Sequence, residues 1–120
     1  MIGKIVLLGE PKSTQHLYRI TCRPFPSINM TPEGKSLKED YAWPARAQWK
    51  LPMIDVPFGM NVHFYHKTKR KQDIDNFNKA MLDSMSRIVF SDDNLIYEMH
   101  SFKHHDPLAP RIEIEFFALP

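Results

Sequence analysis

Polar and apolar residues alternate from 111 to 116 in an expected strand over 111–117, with Ile112, Ile114 and Phe116 facing one way and Arg111, Glu113 and Glu115 the other. That two-residue period is the mark of a half-buried strand. It also runs through Ile54, Val56, Phe58, Met60, Val62 and Phe64, between which stand Asp55, Pro57, Gly59, Asn61, His63 and Tyr65. Pro57 has no amide proton for a ladder, so it predicts an edge position or a break at the start of this strand. Further strands are expected over residues 2–8, ended by Gly9 and Pro11, and around 95–103. Residues 12–30 carry Pro24 and Pro26 and read as a loop with a short strand at 18–21. Thr31 is a natural N-cap, with Pro32 in the first helical position and Glu33 near the positive end of the dipole. A helix is therefore expected over 32–48, with a kink or an early stop at Pro44, which clashes with the preceding turn. A second helix should begin near 73–75 and run to about Arg87. Phe77, Ala80, Met81, Met85 and Ile88 recur along it at helical spacing and form its core-facing stripe, while Leu82 falls on the charged side. Strands and helices in this order predict an α+β domain, a mixed β-sheet with two main helices packed on one face.

Length and composition narrow the picture. With 120 residues, 42% of them hydrophobic, the chain suits one small domain over 1–120 with a modest core. Its longest apolar run, Ile5 to Leu8, is far short of the roughly 20 residues of a membrane span, and no leader pattern follows Met1. The expectation is a soluble cytoplasmic protein. The one cysteine, Cys22, has no internal disulfide partner and no Cys or His at zinc-ligand spacing, which makes it a small filler. A net charge of +2 is uninformative as a sum. Its distribution says more: Lys67, Lys69, Arg70 and Lys71 form a basic run, and the rest of the chain carries a net −2.

Acidic residues follow that run at once. On a helix, Asp75, Lys79 and Asp83 stand four apart and line one flank, opposite the apolar stripe. Taken singly, each has a structural explanation: Asp73 and Asp75 as caps, Asp75 and Lys79 as a surface ion pair, Asp92, Asp93 and Asn94 as a turn. Their combination with the basic run is what a phosphodiester enzyme needs, since carboxylates gather a hard divalent cation and cations hold a polyanionic substrate. An EF-hand loop starting at Asp73 is excluded, because the positions needing a polar ligand, glycine and glutamate hold Phe77, Asn78 and Ser84. A nucleotide-sugar glycosyltransferase would need a nucleotide-binding domain larger than the whole chain.

The run R-K-Q-D-I-D-N-F-N-K-A-M-L-D from Arg70, followed by S-D-D-N at 91–94, resembles the signature of the RusA family of Holliday junction resolvases. T-P-E-G-K-S-L-K-E-D from Thr31 is similar to the start of that family's first helix. One departure is Gln15, where the family often has asparagine. The resemblance implies that Asp73, Asp75 and Asp93 bind magnesium and are required for cleavage, with Asp92 as a fourth member, and that Lys79 is the essential lysine. Lys67, Lys69, Arg70, Lys71 and Asn76 are the corresponding DNA-binding candidates.

Magnesium, or manganese in its place, suits carboxylate ligands, can activate a water and can neutralise charge on a phosphate. The reaction implied is in-line hydrolysis of a DNA phosphodiester. Lys79 would meet the developing negative charge, and no histidine is required, although His66 beside the basic run is within reach of phosphate. Paired cuts on a four-way junction call for a C2 homodimer, and Phe25, Trp43, Trp49 and Phe117 are the candidate apolar contacts. Two other readings stay open: a noncatalytic nucleic-acid-binding module, and a metal nuclease for other branched DNA.

Overall fold

The computed structural model describes residues 1–12, 18–21, 27–69 and 77–120, with the backbone alone at 18–21 and 27–30. Cys22, Phe25, Arg70, Lys71, Asp73, Asp75 and Asn76 lie outside the described residues. In chain order the elements are β1 (Gly3–Leu8), β2 (Tyr18–Thr21), β3 (Ser27–Met30), α1 (Pro32–Gln48), β4 (Phe58–His66), α2 (Asn78–Met85), a short 3-10 turn (Asp93–Leu95), β5 (Ile96–His105) and β6 (Arg111–Ala118). β1, β6, β4 and β5 form one sheet in that order, and β2 pairs with β3 alone. The sheet is mixed: β4 runs parallel to β5, while β6 is antiparallel to both β1 and β4. The α+β architecture expected from the alternation of elements is the one observed.

One face of the sheet makes the core. Ile5 and Leu7 of β1, Phe58, Met60, Val62 and Phe64 of β4, and Ile112, Ile114 and Phe116 of β6 are buried against Tyr41 and Ala45 of α1 and Met81 and Met85 of α2. This is the period-two pattern of the sequence turned into packing. Phe116 is the hub, with Trp49 edge-on at 5.1 Å and Phe58 tilted at 6.1 Å. Trp49 is therefore a core residue, 8% exposed, which removes it from the apolar surface expected for a dimer contact. Trp43 does lie in solvent. Phe117 is half-buried, its ring against the backbone of Gly59, where a Cβ would come within 2.3 Å of it. Among the described residues no helix is long and apolar enough to cross a membrane.

Three local outcomes differ from the sequence expectations. Pro57 breaks the strand as one of its two expected outcomes, so β4 begins at Phe58 and Ile54 keeps a single bridge to Phe90, but β4 lies between β6 and β5 rather than at an edge. β3 was not anticipated, because Pro24 and Pro26 just before it read as loop. And α1 does not stop at Pro44 but continues to Gln48. The missing Pro44 amide would have met the carbonyl of Asp40, an exposed residue whose oxygen can turn to water, while Tyr41, Ala42 and Ala45 pin this turn on the core. Thr31 caps α1 as expected, accepting from the Gly34 amide at 3.2 Å. At the other end Gln48 both accepts from the Val6 amide at 2.8 Å and donates to the Val6 carbonyl at 2.7 Å. These two bonds cover the free edge of β1, an edge that would otherwise invite pairing with another chain.

Pro44→Ala should restore a helix donor at no cost in packing and stabilise the fold by about 2 kcal/mol, somewhat less than the ~3 kcal/mol cost of an interior proline. Urea denaturation measures it; an unchanged midpoint would mean that the turn around Asp40 has already absorbed the proline.

Candidate active site

A parallel strand pair cannot be closed by a hairpin, so the chain between β4 and β5 must cross back along the sheet. α2 is that crossover. Every candidate residue named from the sequence, from Lys67 to Asp93, falls in this one connection. Phe77 fixes its entry: the ring is 1% exposed and packs on Phe64 at 5.5 Å and on His66 at 4.8 Å, the last residues of β4.

Lys67 and Lys69 stand exposed just beyond β4. The backbone of Lys67 is held from two sides: its amide donates to Glu10 Oε2 at 2.6 Å, and its carbonyl accepts from His105 Nε2 at 3.1 Å. Glu10 also faces His66 Nδ1 at 3.4 Å. His66 is 4% exposed, and its Nε2 is buried without a hydrogen-bond partner among the described residues, as is Asn78 Oδ1. Buried polar atoms of this kind are uncommon enough to need an explanation. These contacts anchor the start of the basic run to the ends of β1 and β5.

On α2, Lys79 and Asp83 pair at 3.6 Å, one turn apart, both partly exposed. The pair links a residue expected in the site with one that the sequence placed only on the same flank. Asp92 caps the 3-10 turn, its Oδ1 accepting from the Asn94 amide at 2.9 Å, so its turn-forming role is real. The Asn94 amide first, then a shared hydrogen bond with Asp93, holds the Asp92 carboxyl below the usual carboxylate range. Asp93 goes the other way: the hydrogen bond it donates to Asp92, partial burial, and the negative charges of Asp92 and Asp83 push it up, against the pull of Lys79. Asp83, Asp92, Asp93 and Lys79 thus lie within electrostatic reach of one another where α2 hands over to β5. Such a cluster of oxygen donors with excess negative charge favours a cation. It is not a metal centre by itself, since no group of three or more His, Cys, Asp or Glu among the described residues is disposed to hold an ion.

Two participants were not among the site residues read from the sequence. Asp83 was visible by its four-residue spacing from Lys79, but only the return of the chain at residue 93 shows which carboxylate it faces. The contact of Glu10 with His66 spans 56 positions and left no local signal.

A mixed α+β domain that gathers its basic and acidic side chains in one strand-to-strand crossover is the class of protein these observations define. The family model for Endodeoxyribonuclease RusA matches residues 9–116, and the chain belongs to that family. It is also 37% identical over 62 residues to the crossover junction endodeoxyribonuclease RusA of Aquifex aeolicus (strain VF5). That alignment takes in 51% of this chain and 49% of the relative, about half the length of each.

The raised Asp93 carboxyl has a stability consequence. A proton is bound more tightly in the folded state, so its contribution is present at low pH and is lost as pH rises through the raised value. At pH 7 the ionised group works against the fold. Asp93→Asn keeps a donor for Asp92 and removes the repelled charge, so the metal-free variant should melt slightly above wild type at pH 7, with the gap closing below about pH 4. A lower Tm at pH 7 would contradict the cluster.

Proposed function

We propose that this chain is a divalent-cation-dependent endodeoxyribonuclease that resolves four-way DNA junctions, the activity named for the Aquifex relative. The observation that carries the reading is the Lys79–Asp83 ion pair set within electrostatic reach of Asp93, which Asp92 also presses, in a crossover that starts on a basic run. Asp73, Asp75 and Asp93, with Asp92 as a fourth member, would hold magnesium or manganese. The fit rests on chemistry: all the donors are carboxylate oxygens, which hard cations prefer, and Asp93 already resists ionising beside its neighbours. When bound, such an ion supplies an activated water and neutralises charge on the phosphate.

The chain's own residues do the rest. Lys79, partly exposed in the first turn of α2, meets the charge that builds on the scissile phosphate. Asp83, its ion-pair partner, steers that ammonium. Lys67, Lys69, Arg70, Lys71 and Asn76 hold the DNA backbone, and the grip of Glu10 and His105 on Lys67 keeps the start of the run in register. Residues 1–120 form one domain of this kind, which works in the cytoplasm as a C2 homodimer, because symmetric cuts need two identical sites. Exposed Trp43 is the remaining well-placed apolar contact for the dimer. The role of Asp92 as a turn cap favours a second reading, a noncatalytic DNA-binding module, in which DNA binding is indifferent to magnesium and to Asp75.

Offered a synthetic mobile four-way junction and a linear duplex of the same sequence, the protein should nick the junction symmetrically in magnesium or manganese and spare the duplex. Asp75→Asn should abolish nicking and keep junction binding. Lys79→Ala should lower the nicking rate about 100-fold, the scale of losing one charge-stabilising donor, with little change in affinity. Binding without nicking would favour the second reading; equal cutting of junction, flap and duplex would keep the nuclease and remove the junction specificity.

A further inference from the structure

A cleft of about 320 Å³ opens at the far end of β5, lined by His66, Thr68, Lys69, Lys103, His104 and His105. Its chemistry is that of an anion site. Lys69 and Lys103 bring two ammonium groups from different elements, Thr68 brings a hydroxyl, and the imidazole of His66 turns Nδ1 to Glu10 and leaves the buried Nε2 as its one polar atom without a partner among the described residues. The register explains how these groups meet: Phe64 pairs with Lys103 and His66 with His105 across the parallel β4–β5 ladder, and laterally paired residues leave a sheet on the same side. Phe64 and His66 face Phe77, so Lys103 and His105 stand on the helix-bearing side, the side of Lys79. Nothing in the local sequence marks Lys103, which is separated from the basic run by a helix and most of a strand.

We propose that this cleft is a second phosphate-binding subsite, taking the backbone of a DNA arm away from the scissile bond. The inference rests on the reading of the chain as a branched-DNA nuclease. Its geometry sets the distance. From Ile96, where the acidic turn ends, to Lys103 the strand covers about 23 Å at roughly 3.3 Å per residue. An arm laid along β5 reaches the cleft roughly 7 base pairs from the Asp92–Asp93 turn, at ~3.4 Å per pair. Lys103 thus adds, from β5, a second cation to the one that Lys69 of the basic run brings to the same cleft.

The test is binding of a four-way junction in a chelator, which reads contacts without cleavage. Lys103→Gln should reduce the slope of log K against log salt by about 0.9, the value of one phosphate contact, and Lys103→Arg should restore it. In a methylphosphonate scan, neutralising a single phosphate some 5 to 10 nucleotides from the branch point should weaken binding by wild type several-fold and leave Lys103→Gln indifferent at that position. Should Lys103→Gln show the wild-type slope and the wild-type scan at every position, the subsite is overturned while the nuclease reading stands. A wild-type protein that binds no junction overturns both.

Discussion

The parallel register of β4 and β5 is the constraint on which the rest depends. Two strands running the same way cannot be joined by a tight turn, so everything after His66 must travel the length of the sheet before Ile96 can begin. That forced return carries the basic run, α2 and the Asp92–Asp93 turn, with Lys67 and Lys69 just beyond β4 and the Asp92–Asp93 turn just before β5. Phe77 ties the return to the core through Phe64 and His66. Met81 and Met85, fully buried, hold the remainder of the helix down. The flank left facing outwards is charged because only the inner flank is needed for packing.

The same connection concentrates electrostatic tension. Asp93 is pushed towards its protonated form by Asp92 and Asp83, and His66 and Asn78 each bury a polar atom that has no partner among the described residues. A sequence selected for stability alone would relieve these features by substitution; sites that bind ions and phosphates tolerate them because the ligand supplies what is missing. Elsewhere the same chain settles its charges thoroughly. On the open face of the sheet Arg111 donates to Glu113 at 2.8 Å and to Asp106 at 2.9 Å while lying over the Tyr65 ring, and Lys4 pairs with Glu113 at 2.9 Å. On that face the charges pair off, whereas in the crossover Asp93 lies among like charges.

What could be read in advance was what is local. Thr31, Pro32 and Glu33 announced α1, and the alternation of Ile112, Ile114 and Phe116 announced β6 with its buried face. Of the expected stripe of Phe77, Ala80, Met81, Met85 and Ile88, Phe77 stands at the N-cap of α2 and Ala80, Met81 and Met85 form its buried side, while Ile88 lies beyond the helix, which ends at Met85; Leu82, on the other flank, is only partly buried. Features decided by distant partners were illegible. Pro44 reads as a helix stop until the packing of Tyr41 and Ala45 is seen to outweigh it. Trp49 reads as surface until Phe116 is found beneath it. Lys103 and His105 read as ordinary strand residues until the register lays them beside Phe64 and His66. For the site, the family signature named the carboxylates and the lysine, and the fold adds the Lys79–Asp83 ion pair and the charges of Asp83 and Asp92 acting on Asp93; the assignment of Asp73 and Asp75 to the same cluster is a proposal from the signature.

That assignment is the central claim, and manganese can test it without any substrate. A paramagnetic ion broadens the amide resonances near it and leaves distant ones sharp. Titrated with substoichiometric manganese, the amides of Asp73, Asp75, Asp83, Asp92 and Asp93 should broaden together at the same ion concentration, and those of β1 and β6 should stay sharp. Broadening around Asp92 and Asp93 alone, with Asp73 and Asp75 unaffected, would contradict a single shared site.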